Sequence, residues 1–256
     1  MNDLPQLKLQ LKRLKLSGLL ETLDYQIQKA LNEKVSYTGF LLNVFLEESE
    51  RRDQKVLSIR LRKSGLDYNS TLENFDFSFN PQIREALIKE LATCHFLSKK
   101  ENIFFMGPSG VGKTFLAQSI AHEAVRRGHE VLFTNTILIL RSLNASRGDG
   151  RFAQRLKNLC KIDLLILDDF GLQELNQQQQ DDLYEIICGR YSRASTIITS
   201  NRDISEWPSV FSNPLMGSAA IDRLVDGSVR IVIDAQANSY RVSNFKKKNA
   251  ALSLTS

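Results

Sequence analysis

The stretch Gly107-Pro108-Ser109-Gly110-Val111-Gly112-Lys113-Thr114 fits the pattern G-x-x-x-x-G-K-[ST] at every required position. A short apolar run, Ile103–Met106, precedes it, and a helical pattern of apolar residues begins at Phe115. In a strand–loop–helix arrangement, the loop amides and the positive end of the helix both face an anion. The sequence therefore predicts a phosphate-binding loop at 107–114, in which Lys113 contacts the β- and γ-phosphates and the Thr114 hydroxyl ligates Mg²⁺.

Short runs of β-type apolar residues recur along the chain, separated by helical patterns. This alternation is typical of βαβ units, and strands that are apolar throughout are typical of a sheet covered on both faces. The sequence thus predicts an α/β fold, with a three-layer core built on a five-stranded parallel sheet. The predicted strands are Ile103–Met106, Glu130–Thr134, Leu164–Leu167, Thr196–Thr199 and Val229–Ile233.

Polar residues stand close behind two of these predicted strands. Asp168 and Asp169 directly follow the third strand, and Asn201 ends the stretch TIITSN at 196–201. Because ligands of open α/β sheets bind at the carboxyl ends of the strands, we predict that Asp168 lies beside Mg²⁺ and that Asp169 polarises the attacking water. Asn201 is predicted to hydrogen-bond the γ-phosphate or the water, although asparagine also ends strands for simple turn reasons.

A candidate arginine finger lies in the segment 220–226. Arg223 stands on a predicted short amphipathic helix, from which it could reach the γ-phosphate held by a neighbouring subunit and stabilise the charge of the transition state. The alternative is a surface salt bridge between Arg223 and Asp222 or Asp226. Arg190 and Arg193, before the fourth strand, compete for the same catalytic role.

The segment 141–161 is strongly basic, because it holds one acid, Asp149, among six cations. It has one aromatic residue, Phe152, so a base-stacking platform is not expected, and no base-reading motif is visible. We predict contacts to the backbone of duplex DNA with little sequence specificity, a solvated basic helix being the alternative. The candidate residues are Arg141, Arg147, Arg151, Arg155, Lys157 and Lys161.

The sequence before the core predicts a small, all-helical N-terminal domain at 1–68 that binds DNA or a partner. Apolar residues recur there at steps of three and four over about 4–14, 20–31 and 38–63. A connector with the first core helix is predicted at 69–101, the core at 102–245 and a basic flexible tail at 246–256. Three residues of the connector either pack as a linker or wall an adenine pocket: Phe75, Phe77 and Phe79.

The composition of the 256 residues, 42% hydrophobic and 25% charged, is that of an ordinary globular protein. Three cysteines lie far apart and three histidines have no metal-ligand spacing, which argues against a disulfide framework or a zinc site. No apolar run is long enough to cross a bilayer, and the N-terminus lacks the pattern of a secretory signal. We therefore expect no membrane partner and a cytoplasmic location, and the net charge of +5 mildly favours an anionic partner.

Three motifs, GPSGVGKT at 107–114, LLILDDFG at 164–171 and TIITSN at 196–201, resemble in this order those of the AAA+ ATPases. The stretches LKLSGLL at 14–20 and TLENFDF at 71–77 are similar to the IstB-like branch, helper ATPases of insertion-sequence transposition, and to the related DnaC-like helicase loaders. The resemblance implies ATP and Mg²⁺ as cofactors, nucleotide held between subunits of a homo-oligomer, and no C-terminal lid domain. Many AAA+ proteins have Glu where this chain has Asp169, which implies slow or assembly-dependent hydrolysis.

The motifs and the resemblance together favour an ATPase that oligomerises on duplex DNA, remodels it and recruits or activates a transposase. The alternative is a DnaC-like replicative helicase loader, whose N-terminal helices would grip a helicase and whose channel would prefer single strands. A metabolic P-loop kinase would need a lid and an acceptor pocket. The missing lid and the strand TIITSN argue against a kinase. A nucleotide-gated scaffold with negligible turnover, suggested by Asp169, is a further alternative.

Overall fold

The computed structural model describes residues 3–233 and 239–240. One five-stranded parallel sheet forms the centre of the core in this part of the chain. The strands lie side by side in the order β2-β3-β4-β1-β5. They are β1 Ile103–Met106, β2 Val131–Asn135, β3 Leu164–Asp168, β4 Ser195–Ser200 and β5 Val229–Val232. Each begins and ends within one residue of the run predicted from the sequence, so the predicted parallel sheet and its α/β class are confirmed.

Helices cover both faces of this sheet. Those of the described residues are α1 Leu4–Arg13, α2 Ser17–Glu33, α3 Tyr37–Ser64, α4 Glu85–Leu91, α5 His95–Lys99, α6 Lys113–Arg126, α7 Thr136–Ala145, α8 Phe152–Lys161, α9 Gln177–Arg190 and α10 Pro214–Val225. On one face, Phe104 and Met106 join an apolar core with side chains of α7, α9 and α10. The alternate residues of β1, Ile103 and Phe105, are wholly buried too, and α6 packs against β1 to β4. Both rows of side chains on β1 are therefore covered.

The order of the strands brings separate parts of the sequence to one edge. Met106, the last residue of β1, lies opposite Ser200 of β4, and Asn135 of β2 lies opposite Asp168 of β3. The connection from β1 to β2 passes over β3 and β4, whereas β5 lies on the other side of β1. Such a reversal of strand order opens a crevice at the carboxyl ends of the strands, where ligands of α/β proteins bind.

The segment around Trp207, which the sequence analysis leaves as a loop between the fourth strand and the Arg223 helix, forms a 3₁₀ helix at Ile204–Val210. Asp203 caps this helix by accepting a hydrogen bond from the Ser205 N–H. Trp207 is completely buried, with its ring 5.0 Å from that of Phe104 and 4.8 Å from that of Phe170. The apolar core therefore includes a residue whose surrounding sequence has the polar character of a surface turn.

The chain divides into two compact units, residues 1–59 and 60–256. The first unit has a small core of its own, made of Leu11, Leu19, Leu23 and Val44. It contains α1, α2 and most of α3, which match the three predicted helical segments within a few residues. Burial acts to raise the pKa of Glu48, but hydrogen bonds from the Leu19 N–H and the Arg52 side chain hold it below its ordinary value.

The predicted domain limits at residues 68, 101 and 245 stay predictions. The predicted basic tail, with Lys246, Lys247 and Lys248, lies outside the described residues. Among the helices that the structure describes, none combines the length and the apolar character that a bilayer-spanning segment needs.

Candidate functional site

The phosphate-binding loop predicted at 107–114 lies between the end of β1 and the start of α6. All three of its glycines have left-handed backbones, with φ of +142° at Gly107, +85° at Gly110 and +102° at Gly112. A Cβ on Gly107 would collide with the carbonyl oxygen of Ile233. The Gly107 N–H donates a hydrogen bond of 3.2 Å to the Ser200 carbonyl, which ties the loop to the end of β4. The loop can therefore have this shape only with glycine at position 107.

Lys113 is buried in the first turn of α6, and its ammonium group lies against the loop. Nζ donates hydrogen bonds of 2.7 Å to the carbonyl oxygens of Gly107 and Pro108. It also donates to Oδ1 of Asn201 at 2.6 Å. The structure thus brings together Lys113 and Asn201, the two residues predicted to contact the γ-phosphate, although 88 positions separate them in the sequence.

Thr114 and Asp168, the two predicted magnesium residues, are in direct contact. The Thr114 hydroxyl donates to Oδ1 of Asp168 at 2.8 Å, and the hydroxyl of Thr199 on β4 donates to the same carboxylate oxygen. Within the described residues, no three His, Cys, Asp or Glu side chains cluster as a metal site. The oxygens of Thr114 and Asp168 therefore fit a Mg²⁺ ion that takes its other ligands from phosphates and water.

Asp169 follows β3 with a left-handed backbone, at φ +55°. Such angles are uncommon for residues with a side chain, and they cluster at functional sites. Neighbouring strands hold Asp169 in place: its N–H donates to the Thr199 hydroxyl at 3.1 Å, and Asn135 Nδ2 donates to its Oδ2 at 3.3 Å. Asp169 lines the same cavity as Lys113 and Asn201, in accord with the position predicted for a residue that polarises water.

A cavity of about 530 Å³ connects these groups with the connector before the core. Lys113, Asp169 and Asn201 line it together with Asn74 and Phe75 of the connector. Its size is within the usual range of small-molecule sites. The cavity therefore has both charged groups and an aromatic surface in its wall.

The phenylalanines of the connector differ in their surroundings. The ring of Phe75 is buried, with its centre 4.8 Å from that of Phe77 and 5.5 Å from that of Phe115 on α6. Phe79 stacks on Tyr240 at 3.9 Å between ring centres. Phe75 thus packs on the core, as a linker residue would, and also lines the cavity, while its contact with adenine stays a prediction.

Arg223 lies on α10, at the edge of the sheet opposite the phosphate loop. Asn102, which immediately precedes β1, donates a hydrogen bond of 2.9 Å from its side-chain amide to the carbonyl of the residue after Arg223. The Arg223 guanidinium donates to the Ala219 carbonyl at 2.6 Å and, within the described residues, forms no ion pair with Asp222 or Asp226. The salt bridge considered as the alternative is therefore not observed.

The two competing arginines differ in exposure. Arg190 is 2% exposed, and its guanidinium donates to the Thr196 hydroxyl and to three main-chain carbonyls. Burial lowers the pKa of Arg190 to about 10. Because its guanidinium is engaged inside the subunit, Arg190 is excluded as a finger, whereas Arg193 is exposed.

The cations of the basic segment 141–161 fall into two groups. Arg147 forms two hydrogen bonds, of 2.9 and 2.6 Å, with the buried carboxylate of Asp182, and its guanidinium lies 3.8 Å from the ring centre of Phe152. Arg147 is thus held by contacts within the subunit, and its predicted contact with DNA stays a prediction. The exposed candidates are Arg141, Arg151, Arg155, Lys157 and Lys161.

Three residues of the site have no part in the sequence-based predictions: Asn135, Thr199 and Tyr240. Asn135 and Thr199 carry a signal that could have found them, since both are polar residues near the carboxyl ends of predicted strands. Tyr240 carries no such signal, because it follows the last strand and meets the phosphate loop only in the folded chain. Its N–H donates to the Gly110 carbonyl at 2.9 Å.

A parallel sheet with a phosphate loop after β1, two carboxylates at the end of β3 and an asparagine after β4 defines a P-loop fold of the nucleotide-binding class. Solved structures share this fold. The DnaC helicase loader superposes with a TM-score of 0.57 at 24% identity, over 65% of this chain and 97% of that one. AMPPCP-bound DnaA from Aquifex aeolicus gives 0.57 at 24% identity, over 72% of this chain and 56% of that one.

The chain belongs to the family described as IstB-like ATP binding protein, whose model matches residues 9–250. It is 37% identical over 238 residues to an insertion-sequence ATP-binding protein of Mycobacterium tuberculosis, covering 93% of this chain and 94% of that protein. It is 32% identical over 242 residues to the ATP-binding protein of insertion sequence IS21 of Pseudomonas aeruginosa, covering 94% and 91%. The resemblance seen in the motifs is therefore confirmed.

Proposed function

We propose that this protein is an ATPase that oligomerises on duplex DNA, remodels it and recruits or activates a transposase during insertion-sequence transposition. The observation that carries the proposal is the placement of two complementary groups at opposite edges of the sheet. Asp169 and the phosphate loop lie at the carboxyl edge, and Arg223 lies at the amino edge. Such groups can complete one catalytic site only between two copies of the chain. Membership in the family supports the role in transposition.

ATP hydrolysis follows from the charged and polar residues that line the cavity. Lys113 would exchange its bonds to the loop carbonyls for bonds to the β- and γ-phosphate oxygens, and Asn201 would stay within reach of the γ-phosphate. Thr114 and Asp168 would hold Mg²⁺, which offsets phosphate charge. Asp169 would polarise the attacking water, and Arg223 of the next subunit would stabilise the charge that develops on the transferred group.

DNA binding is assigned to the exposed cations of the basic segment. Arg155 donates hydrogen bonds of 2.9 Å to the carbonyl and the hydroxyl of Ser142, which fixes α8 against α7. Lys157 and Lys161 are exposed on the same helix and, in the described part of the chain, make no ion pair. Unpaired cations on a rigid helix suit contact with phosphates of either strand, which supports binding with little sequence preference.

The proposal is tested by measuring ATP hydrolysis and assembly with and without duplex DNA. We expect duplex DNA to accelerate hydrolysis by wild-type protein and to convert it into large complexes that depend on ATP. The variant Lys113→Ala should show neither DNA-stimulated hydrolysis nor ATP-dependent assembly. The variant Lys89→Ala, which removes an exposed cation of α4, should behave as wild type. ATP-independent assembly by wild-type protein, or a rate that DNA leaves unchanged, would contradict the proposal.

The same experiment separates the alternative functions. A DnaC-like helicase loader should respond more strongly to single-stranded than to duplex DNA, whereas the proposed transposition regulator should respond more strongly to duplex DNA. A nucleotide-gated scaffold should assemble with ATP and show negligible hydrolysis on either DNA. Adding the transposase of the same insertion sequence then tests recruitment directly, because only ATP-bound complexes on DNA should retain it.

A further inference from the structure

Uncharged groups hold the Arg223 side chain within its own subunit. Its guanidinium donates to the Ala219 carbonyl at 2.6 Å and lies 5.8 Å from the ring centre of Tyr184. The face of an aromatic ring attracts a cation, but neither the ring nor the carbonyl cancels its charge. In the described part of the chain no carboxylate pairs with Arg223, so its positive charge is available to an anion from outside the subunit.

One carboxylate, that of Asp226, is close to Arg223 and yet does not pair with it. Asp226 caps the end of α10 three positions after Arg223, a spacing at which opposite charges on a helix commonly pair. Both residues also line one cavity of about 160 Å³. An ion pair between Arg223 and Asp226 would therefore be expected unless another group engages the carboxylate.

Tyr191 is the group that engages this carboxylate. Tyr191 is the residue at which α9 ends, and its hydroxyl donates to Oδ2 of Asp226 at 2.6 Å across 35 positions of sequence. It lines the same cavity as Arg223 and Asp226. The hydrogen bond to Asp226 raises the pKa of Tyr191, so at neutral pH the hydroxyl keeps its proton and remains a donor.

The last turn of α10 is fixed to the sheet. Asn102, directly before β1, donates from its side-chain amide to the Leu224 carbonyl at 2.9 Å. Leu224 follows Arg223 and precedes Asp226 by two positions, so this bond restrains the backbone that carries both charges. The partner of the Asp226 carboxylate is therefore decided by side chains, either the Tyr191 hydroxyl or the Arg223 guanidinium.

We infer that Tyr191 is a positioning residue for the arginine finger: by holding Asp226, it keeps Arg223 free to contact the γ-phosphate bound by the neighbouring subunit. This inference deepens the proposed function and rests on the role given there to Arg223. Without the Tyr191 hydroxyl, Arg223 and Asp226 can pair within one subunit. The guanidinium then has to leave that ion pair before it reaches the phosphate, so fewer subunits present it at any moment.

The test removes the hydroxyl first and the carboxylate second. Steady-state ATP hydrolysis on duplex DNA is measured for the full chain and for Tyr191→Phe, Asp226→Asn and the double variant that combines these two changes. Tyr68→Phe is the matched control, because Tyr68 is exposed and its hydroxyl makes no hydrogen bond within the described residues. Thermal unfolding of each variant establishes that the chain is folded.

We expect Tyr191→Phe to lower kcat by about 5-fold, the shift that an exposed ion pair of ordinary strength produces. KM for ATP should stay within about 2-fold of wild type, because the nucleotide is held by the loop of another copy. Asp226→Asn, the double variant and Tyr68→Phe should each hydrolyse ATP within about 2-fold of wild type. Recovery in the double variant is the decisive result, because it shows that the freed carboxylate causes the loss.

Mixed assemblies show which side of the interface Tyr191 serves. Lys113→Ala subunits can contribute only Arg223, and Arg223→Ala subunits can contribute only the nucleotide cleft. We expect a mixture of the two to recover less activity when Tyr191→Phe is added to the Lys113→Ala subunit. Adding Tyr191→Phe to the Arg223→Ala subunit should leave the recovery unchanged, and the opposite pattern would overturn the inference.

Two results with the single variants would also overturn it. A kcat of Tyr191→Phe equal to that of wild type would show that Asp226 does not capture Arg223. Equal losses in Tyr191→Phe and in the double variant would show that Tyr191 acts through the packing of α9 and not through the carboxylate.

Failure of the proposed function gives a different pattern. If Arg223→Ala hydrolyses ATP on DNA as fast as wild type, Arg223 is not the finger, and the inference falls together with that part of the proposal. If Arg223→Ala is inactive while Tyr191→Phe is as active as wild type, the finger stands and only the role of Tyr191 is overturned.

Discussion

A single hydroxyl, that of Thr199, connects both carboxylates of the site to the neighbouring strand. It donates to the Asp168 carboxylate and accepts from the Asp169 N–H. Thr199 is 1% exposed, so water does not readily replace either bond. Asp168 ends β3 and Asp169 follows it in the sequence. The hydrogen bonds to Thr199 mean that β4 fixes the positions of these two residues as much as β3 does.

Replacing Thr199 with valine keeps the shape and removes both hydrogen bonds. We predict that Thr199→Val lowers the free energy of unfolding by about 1–3 kcal/mol, because a buried N–H and a carboxylate lose their partner. Thr199→Ser, which keeps the hydroxyl, should lose less. Urea denaturation monitored by circular dichroism measures the difference, and equal stability of the valine variant and wild type would contradict this role.

Asp169→Asn keeps the size of the side chain and removes the charge that polarises water. We predict that ATP binding is retained and that hydrolysis falls by about 10²–10⁴-fold, the usual contribution of a general base. Complexes on DNA should then persist, because ATP is not consumed. Single-turnover hydrolysis and the lifetime of the DNA complex measure the two effects, and faster dissociation than wild type would argue against the assigned role.

The residues of the site show what sequence reasoning can and cannot reach. The motifs of Lys113 and Asp168 are local and their flanking strands are apolar, so the sequence could indicate that Lys113 begins a helix after β1 and that Asp168 lies at the end of β3. The contact of Arg147 with Asp182 was not predicted, because the two residues lie 35 positions apart and no local pattern connects them. Tyr240 was missed for the same physical reason, since its contacts with Gly110 and Asp76 exist only in the folded chain.

At the scale of elements, the loop before α8 carries a structural ion pair, and α8 itself carries an exposed charged surface. The ion pair of Arg147 and Asp182 connects the loop before α8 to α9, and Lys157 and Lys161 lie on the exposed part of the helix. Cations of one short segment therefore have two different tasks. Substitutions should separate these tasks cleanly, because stability and DNA affinity are measured independently.

We predict that Arg147→Ala lowers the free energy of unfolding by about 1–3 kcal/mol, since the buried Asp182 carboxylate loses its charged partner and keeps a hydrogen bond of 3.2 Å from Gln178. Lys161→Ala should leave stability within about 0.5 kcal/mol of wild type and reduce the salt dependence of DNA binding by about one unit of slope. Urea denaturation and DNA titrations at several salt concentrations measure both quantities. If Arg147→Ala is as stable as wild type and lowers the salt-dependence slope of DNA binding as much as Lys161→Ala does, then Arg147 contacts DNA.

Strand positions were predictable from the sequence, whereas the arrangement of the strands was not. The apolar run Ile103–Met106 is bounded by Asn102 and Gly107, so its ends are marked locally. The order β2-β3-β4-β1-β5 depends on contacts between distant segments, which carry no local mark. Trp207 illustrates the same limit: Glu206 and Pro208 flank it and suggest a surface turn, yet the folded core surrounds its ring.

At the scale of the whole molecule, Arg223 is expected to act on nucleotide bound by another copy. Arg223→Ala should therefore bind ATP with near-normal affinity and lose hydrolysis, by about 10³-fold or more if it behaves as arginine fingers do in GTPases. Lys113→Ala should lose ATP binding and hence hydrolysis. Mixing the two inactive variants should restore part of the activity, because an intact loop from one can meet an intact Arg223 from the other.

The mixing experiment has an internal control. Co-assembly of the two variants is first established by crosslinking on DNA, so that absence of recovery has a single meaning. No recovery at any ratio, in mixtures that co-assemble, would show that Arg223 is not the finger. Arg193, which is exposed, would then be the next residue to test, since Arg190 is buried.

Placing the nucleotide cleft and Arg223 at opposite edges of one parallel sheet makes the molecule directional. Copies that join cleft to arginine do so head to tail, an arrangement that either closes into a ring or continues as an open row. An open row of n copies contains n − 1 complete sites, because one terminal cleft meets solvent, whereas a ring contains n. The two ends of the row would expose different chemistry, one a nucleotide cleft that receives no arginine and the other an Arg223 that meets no nucleotide. Copies of the chain would then join and leave the two ends at different rates. A row bound along DNA would also give that DNA a direction that does not depend on the DNA sequence.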